Sequence, residues 1–332
     1  MFEAKRKLIE LDIEVTPHAI KDLMLGKSIN KQRYMLMELF QHHNAQMKAL
    51  VNNGYSKGTL TRYETSYRHT LSFIQSRYNI SDIDINKLDY DFMAEYEFWL
   101  KSVRKCDHNT TVKYLSNFKK IVNRCVRSGK LQRDPFLGFN LAKKEIERHA
   151  LTEMQLKIIA RENFTVSRLA LVRDIFLFCC FTGLAYADIK KLQRSEIIDG
   201  VDGEKWIVTK RQKTDVTSKI PLITQAVNIM KKYNDHEQCK LSNKLLPVLS
   251  NQKMNSYLKE IADACNLPVN LTFHIARHTF ATTVTLSNGV PMETVSKMLG
   301  HRNLKTTQHY AKILDKKISE DMKKLKGFSL EN

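Results

Sequence analysis

The residues best suited to chemistry lie near the C-terminus. The segment FHIARHTFATTV, residues 273–284, carries His274 and Arg277 three positions apart, which is about one turn of a helix. A guanidinium offers planar bidentate donors to a phosphate, and a neighbouring imidazole can donate a hydrogen bond or move a proton. The pair therefore indicates a phosphate clamp, although chance or a salt bridge explains most isolated pairs of this kind. We expect His278 to point elsewhere.

A second polar segment, LGHRNLKTTQHYAKI, occupies residues 299–313. It carries His301 directly after a Gly, and its only tyrosine, Tyr310, follows nine residues later. The ordinary explanation is a buried Tyr on an amphipathic helix. A chemical role for Tyr310 must be supported by the rest of the chain.

Helices must hold these side chains. The segment around Arg277 has the apolar pattern of a helix, and the next segment, PMETVSKML, begins with Pro and ends at Gly300, as helices often do. His301 then follows a helix end directly and can aim its ring into a shared pocket. A basic loop leads to Tyr310, where YAKILDKKISEDMKKL predicts another helix.

The composition favours a nucleic-acid partner. The 332 residues include 54 Lys and Arg against 35 Asp and Glu, a net charge of +19. An apolar content of 42% with 11 Gly and 6 Pro indicates ordered, helix-rich structure in about two domains. No apolar run reaches the roughly 20 residues of a membrane span, and the N-terminus lacks a signal-peptide core, so we expect a cytoplasmic protein. The six cysteines show no CxxC spacing and are expected to be reduced core thiols.

Breaks in pattern divide the chain. Residues 1–27 form a short segment, with alternating apolar residues in KLIELDIEV and a helix-like TPHAIKDLML, too small to fold alone. Residues 28–140 predict a helical domain, 141–148 a charged linker, and 149–326 a second domain. Residues 313–332 form a C-terminal tail with an apolar stripe.

The first domain is expected to have four helices: Ser28–Val51, one starting at Thr59, Leu88–Val103 and Thr110–Val126. Residues 101–150 contain 13 Lys and Arg against 4 Asp and Glu, a local net charge of +9. The fourth helix has a polar face that either contacts phosphates or is simply solvated, and its candidate DNA-binding residues are Lys113, Asn117, Lys120 and Arg124.

The second domain begins with a capping-box pattern, in which Thr152 is followed three residues later by Gln155. The apolar run LVRDIFLFCCFTGL predicts a buried helix. The segment DGEKWIVTKRQKTDVTSKIPLI has β-branched and aromatic runs around a polar turn and predicts a β-hairpin. Helical patterns return from Gln225.

These motifs together resemble the tyrosine recombinase, or phage-type integrase, family. The family's HxxR, LGH and Tyr occur at similar spacing in HIARHTFATTV followed by VSKMLGHRNLKTTQHYAKI. The segment TGLAYADIKKL looks like the helix that carries the family's first arginine. The segment RQKT looks like the hairpin turn that carries its lysine. The resemblance is closest to integrases of Bacteroides-type conjugative transposons and related mobile elements. It implies a mainly α fold, in which a helical SAM-like core-binding domain precedes a mixed, mostly helical catalytic domain with a small antiparallel sheet.

The resemblance also implies a reaction that needs neither cofactor nor metal. Tyr310 would attack a DNA phosphodiester, store its energy as a 3′-phosphotyrosine and release a 5′-hydroxyl. Arg277 and His301 would stabilise the transition state, His274 would assist proton handling, and Lys213 would protonate the leaving 5′-oxygen.

One position departs from the family pattern. Ala185 stands where the family has its first arginine, although Asp188 matches the acidic residue that follows. Losing one such donor typically costs roughly 100-fold to 1000-fold in rate. Either another arginine substitutes, with Arg211 the first candidate and Arg194 the second, or the protein is slow or inactive.

Three alternatives remain at this stage. The chief rival is a catalytically weak or inactive sequence-specific DNA-binding protein of the same fold, and DNA relaxation of the topoisomerase type would use the same chemistry. A zinc site at His274 and His278 is disfavoured because Ile, Ala and Arg occupy the intervening positions, with no glutamate as in HExxH.

The expected partners follow from the resemblance. They are double-stranded DNA at core recombination sites, other copies of the chain in a tetrameric synapse, and DNA-bending accessory proteins, with no membrane. The tail at 313–332 could be exchanged between protomers or pack on its own domain, and residues 1–27 could be the remnant of an arm-binding domain. The sequence does not distinguish integration, excision and resolution, or give the DNA target.

Overall fold

The computed structural model describes residues 1–10, 15–26, 33–146, 149–310 and 322–323. It is mostly helical with one small three-stranded antiparallel sheet, as the sequence predicts. The chain divides into two compact units, residues 1–146 and 147–332. Among the described residues, none of the helices combines the length and apolar character that a membrane span requires.

The first unit contains six α-helices in its described part. Their bounds are α1 Phe2–Glu10, α2 Pro17–Met24, α3 Leu36–Ala49, α4 Lys57–Tyr78, α5 Tyr90–Ser102 and α6 His108–Arg127. Local caps start four of them: Thr16, Ser56, Asp89 and Asp107 accept backbone N–H groups at the beginnings of α2, α4, α5 and α6. Short polar residues before apolar-periodic segments thus fix these helix starts.

The prediction of a long helix from Ser28 was wrong in its starting point. Ser28 lies outside the described residues, and α3 begins only at Leu36. The Asp82 carboxylate accepts the backbone N–H groups of Met37, at 2.8 Å, and of Glu38, at 3.2 Å. A residue 45 positions away therefore caps α3, and no local pattern could reveal it.

The alternating apolar residues of KLIELDIEV begin on a helix. Their first half lies on α1, where Ala4 and Leu8 are buried, while residues 11–14 lie outside the described part. Positions four apart share one face of a helix and also one face of a strand. An alternation this short therefore does not distinguish a helix from a strand. The helix-like TPHAIKDLML does form α2, and the Thr16 hydroxyl caps it.

Aromatic rings dominate the interior of the first unit. Phe73 stacks on Tyr96 at a centroid distance of 4.9 Å and meets Phe92 edge-on at 5.2 Å. Phe118 of α6 packs edge-on against Tyr96 at 5.7 Å. This core holds α6 by its apolar side, so that its polar side faces outward.

The second unit contains the sheet and nine further α-helices in its described part. The helices are α7 Glu153–Arg161, α8 Ser167–Thr182, α9 Tyr186–Lys191, α10 Thr224–Lys232, α11 Glu237–Ser242, α12 Asn251–Ala264, α13 Phe273–Thr279, α14 Met292–Met298 and α15 Lys305–Gln308. The strands are β1 Ile197–Asp199, β2 Lys205–Lys210 and β3 Thr217–Pro221, paired in the order β1-β2-β3. The predicted hairpin is β2 and β3, in which Val208 pairs with Lys219.

Two further predictions for this unit agree with the structure. Thr152 and Gln155 form the reciprocal capping box at the start of α7. The apolar run becomes α8, which is buried nearly all round. Cys179 and Cys180 lie fully inside, and burial raises the pKa of each thiol well above its ordinary value. All six cysteines are free thiols.

Candidate active site

The centre of the site is the guanidinium of Arg277 on α13, whose residue is only 3% exposed. Its Nη1 donates to the carbonyl oxygen of Gly183 at 2.7 Å, and its Nη2 to that of Leu299 at 2.6 Å. Nη2 also lies 3.0 Å from Nε2 of His301. A buried charge is stable only with such partners.

Two helix ends provide the carbonyl groups that bind Arg277. Gly183 ends α8 and Leu299 ends α14, so both carbonyls belong to the last turns, where intrahelical partners are missing. These ends also carry the negative side of the helix dipole. Gly183 has φ +68°, and a Cβ there would lie 2.4 Å from the Phe280 ring, so the position requires glycine.

His301 is held by the loop that leaves α14. Its backbone N–H donates to the Ser296 carbonyl at 3.1 Å. The preceding Gly300 has φ +61°, and a Cβ there would lie 2.5 Å from Ser218 Oγ on β3. The expectation that His301 directly follows a helix end and turns its ring toward the other site residues therefore matches the geometry.

The hydrogen bonds of His301 define its tautomer. Arg277 can only donate, so Nε2 of His301 must be the acceptor. Nδ1 therefore carries the proton and donates to Thr307 Oγ1 at 2.8 Å. In this arrangement the imidazole is neutral and both of its nitrogens are engaged.

Electrostatics agree with the neutral form. Burial, followed by the charges of Arg277, Arg211 and Lys213, lowers the pKa of His301 from 6.5 to about 4. Burial and the Arg211 charge lower the pKa of Arg277 to about 10, while the Tyr310 hydroxyl opposes that shift. Three cations thus converge on one small region, an arrangement suited to an anion.

Tyr310 lies against this cluster and is 9% exposed. Its ring stacks on that of His301, with centroids 6.1 Å apart and planes 8° apart. Apolar contacts with Phe280, Val295 and Leu299 surround it. The helix predicted from Tyr310 onward falls on residues 311–321, outside the described part, as does the tail apart from residues 322–323.

His278 was misjudged from the sequence. It is 6% exposed, and its ring centroid lies 4.9 Å from that of Tyr310. His274, the expected member of the pair, is exposed and packs edge-on against His278 at 4.7 Å. The side chain one residue after Arg277 therefore faces Tyr310, which spacing alone did not reveal because Tyr310 arrives from a separate loop.

Arg211 enters the cluster from the end of β2. Its Nε lies 3.8 Å from Oδ2 of Asp188, and that buried Nε has no hydrogen-bond partner in the described part of the chain. The Asp188 carboxylate also accepts the backbone N–H of Gln212 at 2.8 Å. Ala185 caps α9 without a side-chain hydrogen bond, so it offers a phosphate only a methyl group.

Lys213 and Arg194 have different surroundings. Lys213 is exposed at the hairpin tip, near enough to His301 to lower the pKa of that imidazole. Arg194 instead donates to the carbonyl oxygens of Asn234, at 2.5 Å, and Lys244, at 3.4 Å, beside a cavity of about 420 Å³. The structure thus brings Arg211, and not Arg194, to Arg277.

The polar face of α6 is a separate basic surface on the first unit. Lys113, Lys120 and Arg124 are exposed along it, and Asn117 is half-buried. Lys120 Nζ lies 5.9 Å from the Tyr63 ring centroid. Burial lowers the pKa of His43 on α3, and the charges of Arg124 and Lys120 lower it further, while the hydrogen bond of its Nδ1 to the Asn44 side-chain oxygen opposes the shift. The four residues singled out in the sequence therefore do share one helix face.

The structure thus gathers a Tyr, a His and two Arg in one cluster, an arrangement suited to binding a phosphate. Two family models match the chain: "Phage integrase SAM-like domain" over residues 35–146 and "Phage integrase family" over residues 149–317. The chain belongs to the phage integrase family.

Known proteins agree in sequence and in fold. The chain is 24% identical over 279 residues to tyrosine recombinase XerD of Listeria innocua, covering 80% of this chain and 91% of the relative. Its fold matches the Tn1549 transposon integrase in complex with a circular intermediate DNA, with a TM-score of 0.67, 16% identity, and coverage of 88% and 100%. It also matches a lambda integrase tetramer bound to a Holliday junction, with a TM-score of 0.63, 18% identity, and coverage of 91% and 86%.

These findings confirm the resemblance and the fold class. The protein is a site-specific DNA recombinase of the tyrosine class, and the rival of a catalytically inactive DNA-binding protein is not favoured. At the identities found, the likeness to the solved integrases concerns the fold. The Bacteroides-type affinity of the sequence stays a prediction.

Proposed function

We propose that this recombinase cuts and rejoins double-stranded DNA with Tyr310 as the nucleophile. The stacking of the Tyr310 ring on His301, beside the buried Arg277, carries the proposal. The Tyr310 oxygen attacks phosphorus, the bond from phosphorus to the 5′-oxygen breaks, and a 3′-phosphotyrosine forms. The phenolic proton leaves Tyr310, and Lys213 donates a proton to the departing 5′-oxygen. Religation reverses these steps.

Arg277 and His301 stabilise the charge that develops on the non-bridging oxygens. The guanidinium is already oriented by two carbonyl groups, so it needs little reorganisation when the phosphate arrives. The phosphate's negative charge raises the pKa of His301 above the value of about 4 that it has without DNA. A His301 side chain that gains a proton can then donate to the phosphate.

Arg211 supplies the guanidinium that Ala185 lacks. Its proximity to Asp188, its buried Nε without a hydrogen-bond partner among the described residues, and its effect on the pKa of Arg277 support this role. Arg211→Ala should lower the cleavage rate roughly 100-fold. Arg194→Ala is the matched control and should leave the rate of the chemical step unchanged, because Arg194 bonds carbonyl groups elsewhere.

His274 takes part in proton handling near the nucleophile. The ring contacts of His274 with His278, edge-on at 4.7 Å, and of His278 with Tyr310, tilted at 4.9 Å, support a short path for the phenolic proton from the buried Tyr310 to the exposed His274. Imidazole is the side-chain group most often used in proteins to accept and pass on a proton.

The assembly follows from the same chemistry. Strand exchange joins two DNA duplexes, so four copies act in a synapse, as in the lambda integrase tetramer on a Holliday junction. The proposal assigns core-site binding to residues 28–140, the linker to 141–148 and catalysis to 149–326. Phosphates of the core site are contacted by Lys113, Asn117, Lys120 and Arg124.

The biological setting is the movement of a mobile element. The fold match to a transposon integrase supports integration or excision of such an element. The cytoplasm as the compartment and DNA-bending accessory proteins as partners are parts of the same proposal. The tail at 313–332 is the segment that reaches a neighbouring protomer.

Covalent trapping tests the proposal. A nicked suicide substrate carrying the candidate element end is incubated with the parent protein and with Tyr310→Phe, and products are separated on a denaturing gel. We expect a shifted protein–DNA band from the parent and none from the variant. A parent that binds this DNA tightly without forming the adduct would overturn the proposal and make Ala185 the explanation.

A further inference from the structure

The hairpin tip between β2 and β3 is tied to the loop that carries His301. Thr214 Oγ1 donates to the Gly300 carbonyl at 3.1 Å. In the opposite direction, Arg302 donates to the Thr214 carbonyl from Nε at 3.0 Å and from Nη2 at 2.6 Å. Three hydrogen bonds therefore meet on the residue directly after Lys213.

The residue before Lys213 is anchored as well. The backbone N–H of Gln212 donates to the buried Asp188 carboxylate at 2.8 Å. The backbone at Lys213 is thus fixed on both sides, by Asp188 at Gln212 and by Arg302 at Thr214. The next residue, Asp215, has φ +55°, a left-handed conformation that a short polar side chain tolerates.

This anchoring matters because lysine is a poor candidate for precise placement on its own. Its ammonium sits on a flexible four-carbon stem, and Lys213 is exposed at a hairpin tip. A general acid must lie within hydrogen-bond reach of the oxygen that it protonates, and a displacement of about 1 Å can cost a factor of roughly 100. Fixing the backbone under Lys213 removes one source of that displacement.

We propose that Arg302 is a positioning residue for Lys213. By donating two hydrogen bonds to the Thr214 carbonyl, it joins the hairpin that carries Lys213 to the loop that carries His301. The side chain that protonates the leaving oxygen and the side chain that stabilises the phosphate are then held in a fixed relative position. This inference rests on the proposed function, in which Lys213 protonates the 5′-oxygen.

Arg302 is exposed, so a second role as a simple phosphate contact must be distinguished. A phosphate contact affects DNA affinity and its salt dependence. A positioning role instead affects the chemical step, and only when the leaving group needs a proton. Lys305 provides a matched control, because it is an exposed cation three residues further on, at the start of α15, and within the described part of the chain no hydrogen bond joins it to the hairpin.

The test compares two substrates in single-turnover cleavage at saturating protein. One is the ordinary core-site duplex, and the other carries sulfur in place of the bridging 5′-oxygen at the scissile phosphate. A thiol has a pKa of about 8.5, so a thiolate leaves without general-acid help. The proteins are the parent, Arg302→Ala, Lys213→Ala, the double variant and Lys305→Ala.

On ordinary DNA we expect Lys213→Ala to be roughly 100-fold slower and Arg302→Ala about tenfold slower than the parent. On the sulfur substrate both should come within about twofold of the parent, because neither protonation nor its positioning is then required. The double variant should equal Lys213→Ala on ordinary DNA, since positioning an absent lysine has no effect. For Lys305→Ala, the ratio of the rate on ordinary DNA to the rate on the sulfur substrate should equal that of the parent protein.

An Arg302→Ala defect of equal size on both substrates overturns the inference, as does a double variant slower than Lys213→Ala. Arg302→Lys guards against misfolding: it keeps the charge but lacks the fork of two N–H groups, and should show a smaller defect that sulfur again removes. If the parent forms no adduct on either substrate, the proposed function fails and the inference with it. If the sulfur substrate does not restore the cleavage rate of Lys213→Ala, then Lys213 is not the general acid and the inference also fails.

Discussion

Two basic regions of this protein use positive charge in opposite ways. In the cluster of the candidate active site, Arg277 is 3% exposed and its guanidinium is bound to the carbonyl groups of Gly183 and Leu299. On the polar face of α6, Lys113, Lys120 and Arg124 project into solvent. The first charge is fixed by folding, whereas the others keep most of their side-chain freedom.

The difference teaches what each region can contribute. A fixed charge in a water-poor site stabilises a transition state without reorganising, and salt screens it little. Exposed charges neutralise phosphates and set the position of the DNA, but they lose strength within a Debye length of about 8 Å at physiological salt. The cluster should therefore respond to geometry and pH, and the α6 face to salt.

Arg277→Lys should produce the largest effect. Lysine keeps the charge but cannot bridge the carbonyl groups of Gly183 and Leu299 while also facing His301. We expect cleavage to fall by about 100-fold to 1000-fold, measured as single-turnover adduct formation. The loss should be the same at low and high salt, because DNA binding is unaffected.

Circular dichroism and DNA affinity serve as controls for Arg277→Lys, since a misfolded variant would lose both signals. A variant that retained at least a tenth of the parent rate would show that charge suffices in this cluster, and the contrast between the two regions would fail.

Titration of His301 should have the next largest effect, on stability. Its pKa is lowered from 6.5 to about 4 in the folded protein, so between these values the unfolded chain binds a proton that the folded chain does not. Stability should therefore fall as the pH drops from 6.5 to 4. Full protonation corresponds to at most about 3–4 kcal/mol, and solvent access to the half-buried ring reduces this.

Urea unfolding of the parent and of His301→Gln would measure this contribution. Trp206 fluorescence in a Trp99→Phe background reports on the second unit alone, because Trp206 lies on β2 and Trp99 on α5. The variant should lose less stability on acidification than the parent. Equal losses would mean that His301 does not titrate at a lowered pKa.

Local signals in the sequence predicted local structure well. The Thr152 capping box and the β2–β3 hairpin depend on residues a few positions apart, and both formed as expected. The start of α3 was wrong because its cap, Asp82, comes from 45 positions away. Long-range partners of this kind leave no periodic trace in the sequence.

The same distinction applies to the site. Family-like spacing correctly indicated that Arg277, His301 and Tyr310 meet, although their chemical roles remain a prediction. The contact of His278 with Tyr310 was missed because it depends on how a separate loop packs on α13. The contact of Arg302 with Thr214 likewise joins residues 88 positions apart.

Single substitutions on the α6 face should have the smallest effect. Lys113→Ala, Lys120→Ala and Arg124→Ala should each weaken DNA binding by about threefold to tenfold at moderate salt. Each should also lower the magnitude of the slope of log affinity against log salt by about one, as expected for one lost phosphate contact. The cleavage rate at saturating protein should be unchanged. Fluorescence anisotropy at several salt concentrations measures the slope.

Lys119→Ala is the matched control on the same helix, because Lys119 Nζ lies over the Phe136 ring, 5.1 Å from its centroid, and so belongs to a different side of α6. It removes the same charge and should leave the slope nearly unchanged. If Lys119→Ala lowers the slope as much as Lys120→Ala, the net charge of the first unit attracts DNA without a defined face. The two regions would then differ only in that the charges of the cluster are fixed, whereas the positive charge of the first unit acts as a whole without a defined binding face.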